Sequence, residues 1–265
     1  MVTNLAVLTL SVLVAAASAA VLHSGAIIPT YAEVCYRDDP TRDLNECLVG
    51  SIQTLIKKIS GEGIRELGLP PLDPWRVEKA SVTLGSGDPF KVSMTTLDAD
   101  TYGFSRIQIY DVRMSLDNPK RITLEVDFSN KKVFIEGNYE AEGSIADFPI
   151  LAKGAFNLSM SDLSGTFKMK GHLVSRDGEQ YLMVDRASMR PYVGNMTFFM
   201  TNDNSKYPEL TALFIGLVNQ FWKSIYTETL PYAEENFDQV IRPIFNLATL
   251  KIPFNQLIPP YIVKP

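Results

Sequence analysis

Two hydrophobic periods divide this chain. From Tyr207 to about Leu250, apolar residues recur every three or four positions: Leu210, Leu213, Phe214, Leu217, Phe221 and Ile225, then Phe237, Val240, Ile241, Ile244 and Phe245. That spacing predicts helix. Val218 and Trp222 widen the stripe until the first half is apolar over more than one face, as in a helix buried on several sides. Pro208 and Glu209 suit a helix start, because proline needs no N–H there and a carboxylate favours the N-terminal end of the helix dipole. Pro231 lacks an N–H and crowds the preceding turn, so a kink or break is expected at that position. About forty helical residues would span roughly 60 Å, and a helix of that length needs an equally long cover.

From Trp75 to about Met200 the period changes to two. Ile122, Leu124, Val126 and Phe128 alternate with Thr123, Glu125 and Asp127. Val133, Ile135, Gly137, Tyr139 and Ala141 repeat the pattern, as do Leu163, Gly165, Phe167, Met169, Gly171 and Leu173. Turn-forming residues separate the runs at Gly85–Asp88, Asp117–Pro119, Ser129–Asn130 and Asp177–Gly178. Long strands joined by hairpins form an antiparallel meander with one apolar face. Glycines inside the strand patterns, among them Gly143 and Gly154, mark bends and close approaches and so predict strong curl. The expected class is α+β: a long C-terminal helix wrapped by a strongly curved antiparallel sheet.

Ahead of the strands, Asp43 or Asn45 can cap a helix whose apolar side carries Leu48, Ile52, Leu55, Ile56 and Ile59, with Gly61 as its stop. Pro70, Pro71 and Pro74 then enforce an ordered connector that turns Ile64, Leu67 and Leu69 inward. The extreme N-terminus is of a different kind. Leu5 to Ala16 forms an apolar run, and Ala17-Ser18-Ala19 offers a small-residue cleavage site, so residues 1–19 read as a signal peptide and 20–265 as one domain. An uncleaved anchor is the alternative reading of this uncharged stretch; otherwise no stable membrane insertion of the mature chain is expected. Secretion gives meaning to the two cysteines, Cys35 and Cys47, which an oxidising compartment would pair. It also gives meaning to two glycosylation sequons, at Asn157 and Asn195.

Composition narrows the function. Hydrophobic residues make up 46% of the chain, enough for a sizeable core. A net charge of −5 with no basic run argues against nucleic acid and anionic membrane surfaces. Only two histidines occur, His23 and His172. No zinc-protease, nucleophile-elbow, P-loop or dinucleotide pattern is present, so neither an enzyme nor a cofactor is implied. The paired acids Asp98/Asp100 and Glu234/Glu235 read as solvated surface. What remains is an apolar interior with adaptable methionines, which periodicity alone does not resolve into a filled core or a ligand cavity.

The N-terminal box resolves more. Cys35, Arg37, Asp39, Cys47-Leu48, Gly63-Ile64 and the run Leu69-Pro70-Pro71-Leu72-Asp73-Pro74 resemble the insect takeout and haemolymph juvenile hormone-binding protein family. Asn219-x-x-Trp222 and Pro253-Phe254 agree with it near the C-terminus. The resemblance implies a tubular lipid-binding (TULIP-like) roll, a Cys35–Cys47 disulfide and an internal tunnel. It implies a secreted, monomeric, non-enzymatic carrier in haemolymph or another extracellular fluid, for a juvenile hormone-like terpenoid, fatty acid or other lipid. The expected lining is Leu213, Phe214, Leu217, Phe221, Trp222 and Ile225 on the helix, with Ile64 and Leu67 near one mouth. The competing reading keeps the fold, fills its core, and acts on a receptor or partner through its surface.

Overall fold

A computed structural model describes residues 33–87, 90–145, 148–204 and 208–262. The signal peptide expected over residues 1–19 lies outside them, as do Tyr207 and Asp88. Helix α1 spans Leu44–Glu62, and Asp43 caps it by accepting the N–H groups of Asn45 and Glu46. The helix stops at Gly63 rather than at Gly61, and the reason is steric. Gly63 has φ +67°, and a Cβ there would stand 2.2 Å from the Leu69 carbonyl oxygen, whereas one at Gly61 would meet nothing within 4 Å. The Cys35–Cys47 disulfide is formed, with both residues buried beside the start of α1.

Seven strands form one antiparallel sheet: β1 Trp75–Gly87, β2 Phe90–Tyr102, β3 Gln108–Ser115, β4 Ile122–Ile145, β5 Phe148–Arg176, β6 Glu179–Met189 and β7 Asn195–Met200. The central path is β1-β2-β4-β5-β6; β3 continues the β2 edge of β4, and β7 continues the β6 edge of β5. Two of these strands are far longer than expected, 24 residues for β4 and 29 for β5.

Ser129-Asn130 is therefore not a turn. The β4–β5 register runs unbroken from Asn130↔Leu163 to Lys132↔Ser161. What changes there is the face. Before this point β4 buries Ile122, Val126 and Phe128, and after it Val133 and Tyr139. The inward set moves from even to odd positions. Its partner makes the opposite change, from Phe156 to Leu163 and Met169. Asp162, at φ +53°, takes up the switch on β5. On β4 the side chain of buried Asn130 accepts the Lys132 N–H at 3.1 Å and donates to the Gly103 carbonyl at 2.9 Å. The turn-like chemistry seen in the sequence serves a face switch inside a continuous strand.

The long C-terminal helix is two segments, α2 Pro208–Gln220 and α3 Trp222–Thr249, and a short helix α4 follows at Phe254–Leu257. The interruption falls at Phe221 (φ −106°, ψ 18°), not at Pro231, which lies inside α3 together with Pro243. Helical hydrogen bonding nevertheless spans the joint, from Phe221 N–H to Leu217 and from Ile225 N–H to Phe221. Pro231 is tolerated because the carbonyl it leaves unpaired, that of Thr227, lies on the exposed side of the helix, where water can serve it.

The helices lie along three of the sheet's edge strands. Strands β3, β6 and β7, like β1, each pair on one side only, and helices meet the first three. Helix α1 lies along β3, where Asn45 accepts the Met114 N–H at 2.9 Å and Gln53 both accepts from Ile109 and donates to Ile107. Helix α3 lies along β6. There Asn246 accepts the Val184 N–H at 2.8 Å and donates to the same residue's carbonyl at 3.0 Å, and Asp238 accepts the Ala187 N–H. On α2, Asn219 makes the same two-point contact with Phe198 of β7, at 2.7 and 2.9 Å. Side-chain amides thus stand in for the missing strand.

The proline-rich connector is tied down by Asp73, whose carboxylate accepts the N–H groups of Gly103 and Ser105 and the Ser105 hydroxyl. Partial burial pushes its pKa up, but these hydrogen bonds outweigh burial and hold it below the usual aspartate value.

Two outcomes are expected. Asn246→Ala strands a backbone N–H and a carbonyl on β6 and should cost about 1–3 kcal/mol in urea unfolding. Because the folded pKa of Asp73 is depressed, its contribution is present above the unfolded value near ~3.9 and is lost as pH falls through the folded value. Asp73→Asn should therefore lower the melting temperature at pH 7 and flatten its fall below about pH 4; an unchanged acid limb would remove this assignment.

Candidate ligand groove

The helix presents two apolar stripes, offset by roughly 100° because each residue turns that far about the axis. One stripe is packed. Trp222 and Tyr226 lie half-buried against a cluster of Val133, Leu163, Val193 and Met196. Farther along, Phe245 stacks on Phe167 at 5.4 Å, and Phe237 meets the same ring edge-on at 6.2 Å. These residues close the helix against a core of Ile122, Met169, Leu182, Val184 and Phe254.

The other stripe is open. Leu213, Phe214, Leu217, Phe221 and Ile225 remain between 37% and 60% exposed, and Leu210 continues the row. No residue of α2 is buried. Asn219 explains the placement: its grip on Phe198 fixes which side of α2 faces β7, and the Leu213–Ile225 stripe is left to one side of that contact.

The sheet offers a matching apolar surface. Ala99, Tyr139 and Phe156 are buried with Met94, Ala141, Ala152, Phe198 and Met200 around them, and none of these residues is on a helix. Phe198 belongs to this cluster and is also the residue that Asn219 holds, so α2 is anchored at its border. Tyr139 satisfies its hydroxyl on the Thr201 carbonyl at 2.7 Å, and burial raises its pKa.

The sequence-predicted lining residues therefore fall into three places. Leu213, Phe214, Leu217, Phe221 and Ile225 share the open stripe. Trp222 lies on the packed one. Ile64 and Leu67, both 4% exposed, are core residues at the far end of α3, locked against Ile252 with Leu55, Ile59, Ala248 and Leu257. They seal that end. Of the two sequon residues, Asn195 is exposed at the start of β7, and Asn157 lies within β5, paired with Glu136 and Phe199.

Both the open stripe and the sheet cluster are apolar. Among the described residues no cluster of His, Cys, Asp or Glu could hold a metal ion. His172 pairs with Asp185 at 2.8 Å on the strands, Asp98 and Asp100 share Arg76, and Glu234 binds Arg190. Of the acids singled out in the sequence, Asp98, Asp100 and Glu234 have ion-pair partners.

Comparison with known proteins now bears on the same chain. The sequence model of the haemolymph juvenile hormone binding protein (JHBP) family matches residues 10–259. The chain belongs to that family. It is 22% identical to the circadian clock-controlled protein daywake of Drosophila yakuba over 218 residues, covering 79% of this chain and 82% of that protein. The Drosophila melanogaster daywake protein is 21% identical over 216 residues, with the same coverage. The crystal structure of Takeout 1 from Epiphyas postvittana superimposes with a TM-score of 0.60 at 20% identity, covering 83% of this chain and 91% of that one. The curled sheet with its long helix is thus the takeout roll, and the family is one of binding proteins rather than enzymes.

Sequence reasoning missed the amides Gln53 and Asn246, and the strand-binding roles of Asn45 and Asn219. A signal was available: asparagine is a poor choice in a helix interior, so one on the packed side asks for a structural reason.

The two stripes should behave differently on substitution. Trp222→Ala removes packed side-chain volume and should cost about 3 kcal/mol. Leu217→Arg, on the open stripe, should change stability by no more than about 0.5 kcal/mol. Urea denaturation of the two variants tests the division, and equal losses would overturn it.

Proposed function

We propose that this chain is a secreted carrier that holds one elongated apolar molecule in a tunnel or groove between the open helix stripe and the inner face of the sheet. The ligand class is a terpenoid, fatty acid or similar lipid, in keeping with the family. The observation that carries the reading is the helix face of Leu213, Phe214, Leu217, Phe221 and Ile225, apolar yet left exposed beside an apolar sheet cluster that no helix residue joins. Covering roughly 300 Å² of such surface would contribute ~7 kcal/mol before ordering costs. The Cys35–Cys47 disulfide supports an extracellular protein; in this reading residues 1–19 are a cleaved leader. Residues 20–265 act as one domain in this reading, and the protein works as a monomer.

Ile64 and Leu67 act here as an end plug rather than as a mouth, because both are already packed against Ile252. Ligand enters instead from the side of α2, the helix with no buried residue.

The exposed stripe also favours one alternative, in which a protein partner covers the same face. Native mass spectrometry of the secreted protein, followed by organic extraction, separates the two. A stoichiometric lipid that is lost in Leu217→Arg supports the carrier. An empty wild-type protein that also refuses fluorescent fatty acids and terpenoids would overturn it in favour of the partner.

A further inference from the structure

A second surface lies on the polar side of the sheet, away from the apolar groove. A trough of about 450 Å³ opens there, with Tyr110 and Tyr192 among its lining residues. The two rings are 60% and 68% exposed. Single exposed tyrosines need no explanation. Two that line one hollow, each delivered by a departure from regular strand geometry, do.

Tyr110 is the extra residue of a bulge. The β3–β4 register passes from Ile109↔Phe128 to Asp111↔Asp127, which leaves Tyr110 without a partner and thrown outward. Bulges commonly re-aim a side chain in this way next to a functional site. Tyr192 arrives by another route. The segment after β6 crosses back over β5, where Tyr192 and Ser164 exchange two backbone hydrogen bonds at 2.7 and 3.1 Å. Gly165 permits the crossing, since a Cβ there would stand 3.1 Å from both the Arg190 carbonyl oxygen and the Pro191 Cα. From the other side Tyr226 of α3 donates its hydroxyl to the Pro191 carbonyl at 2.5 Å. The backbone beneath the Tyr192 ring is held from both sides.

The floor between them selects the ligand's charge. Its ionic residues are Asp127, Lys168 and Arg190, and each already has a counter-ion. Arg113 clasps Asp127 at 2.8 and 3.2 Å, Lys168 meets Glu125 at 3.1 Å, and Arg190 meets Glu234 at 2.7 Å. A phosphate or an acidic peptide would have to break a pair to gain one. A neutral hydroxylated ligand would not, because paired carboxylates and guanidinium groups keep spare acceptor and donor directions. Ser164 and Thr166 line the same hollow with hydroxyls.

We infer that this trough is a binding site for a neutral carbohydrate, with Tyr110 and Tyr192 stacking on sugar rings and the paired ions and hydroxyls of the floor bonding their hydroxyl groups. Stacking uses the apolar faces of the rings, and the fixed polar groups set orientation. The volume falls within the usual range for small-ligand sites, ~300–1,000 Å³. A free oligosaccharide and a glycolipid headgroup share this chemistry.

Saturation-transfer NMR on the full secreted protein tests it, with cellotriose, maltotriose and chitotriose as neutral probes and sialyllactose as a charged one. Vesicles carrying glucosylceramide distinguish a headgroup from free sugar. At least one neutral trisaccharide, or the glucosylceramide vesicle, should bind saturably, and Tyr110→Ala and Tyr192→Ala should each weaken it about three- to tenfold. Both variants should keep wild-type melting and wild-type lipid uptake, so the outcome is independent of the apolar groove. Failure of every neutral probe, binding of sialyllactose alone, or full binding by the double variant would each overturn the assignment.

Discussion

A β-sheet that does not close into a barrel leaves rows of backbone N–H and C=O groups unpaired at its margins, and the placement of the helices here answers that constraint at every such strand but β1. Each of the strands β3, β6 and β7 is met by a helix, and each helix brings side-chain amides or carboxylates to the exposed backbone. Hydrophobic burial alone would leave the long helix free to roll, because it is apolar on two sides. The amides remove that freedom. Asn219 and Asn246 each grip a backbone N–H and C=O of one residue, on β7 and β6 respectively, so the rotation of the helix is set at both ends. Directional hydrogen bonds decide which apolar face is packed and which is left open.

Much of this was legible in the residues. Period two gave the antiparallel sheet, period 3.6 gave the helix, and the cysteine and proline box gave the family. The misreadings share a cause. Ser129-Asn130 has turn chemistry, but the partner strand makes a compensating change at Asp162, a long-range relation that no local window contains. Gly61 and Gly63 look equivalent as helix stops, and only the Leu69 carbonyl, six residues beyond Gly63, distinguishes them. Pro231 orphans the Thr227 carbonyl, and whether water reaches that carbonyl depends on how the helix packs, which no local window contains. The lining residues were half legible for a similar reason. The pattern identified an apolar helix, while the split between open and packed stripes depends on where Asn219 finds its strand.

The molecule divides its chemistry between two sides of one sheet. The inner side is apolar and adaptable, with Met94, Met200 and Phe198 around Tyr139. The outer side is crossed by a ladder of charges, with Arg113 on β3, Glu125 and Asp127 on β4, and Lys168 on β5. Such exposed pairs add little stability individually. Their arrangement pairs the charges of this stretch with one another, and it holds the Asp127 and Glu125 carboxyls below their ordinary values through the Arg113 and Lys168 contacts.

The face switch at Asn130 and Asp162 has a consequence for how this sheet can change over time. In an ordinary strand, gaining or losing one residue turns every later side chain inside out. Here the two halves of β4 and β5 already keep separate reading frames, joined at a point where the frame is allowed to slip. Length changes beside that joint, made in pairs on the two strands, would alter the reach of one half-sheet without disturbing the other. The roll could grow longer or shorter while each half kept its own inward face.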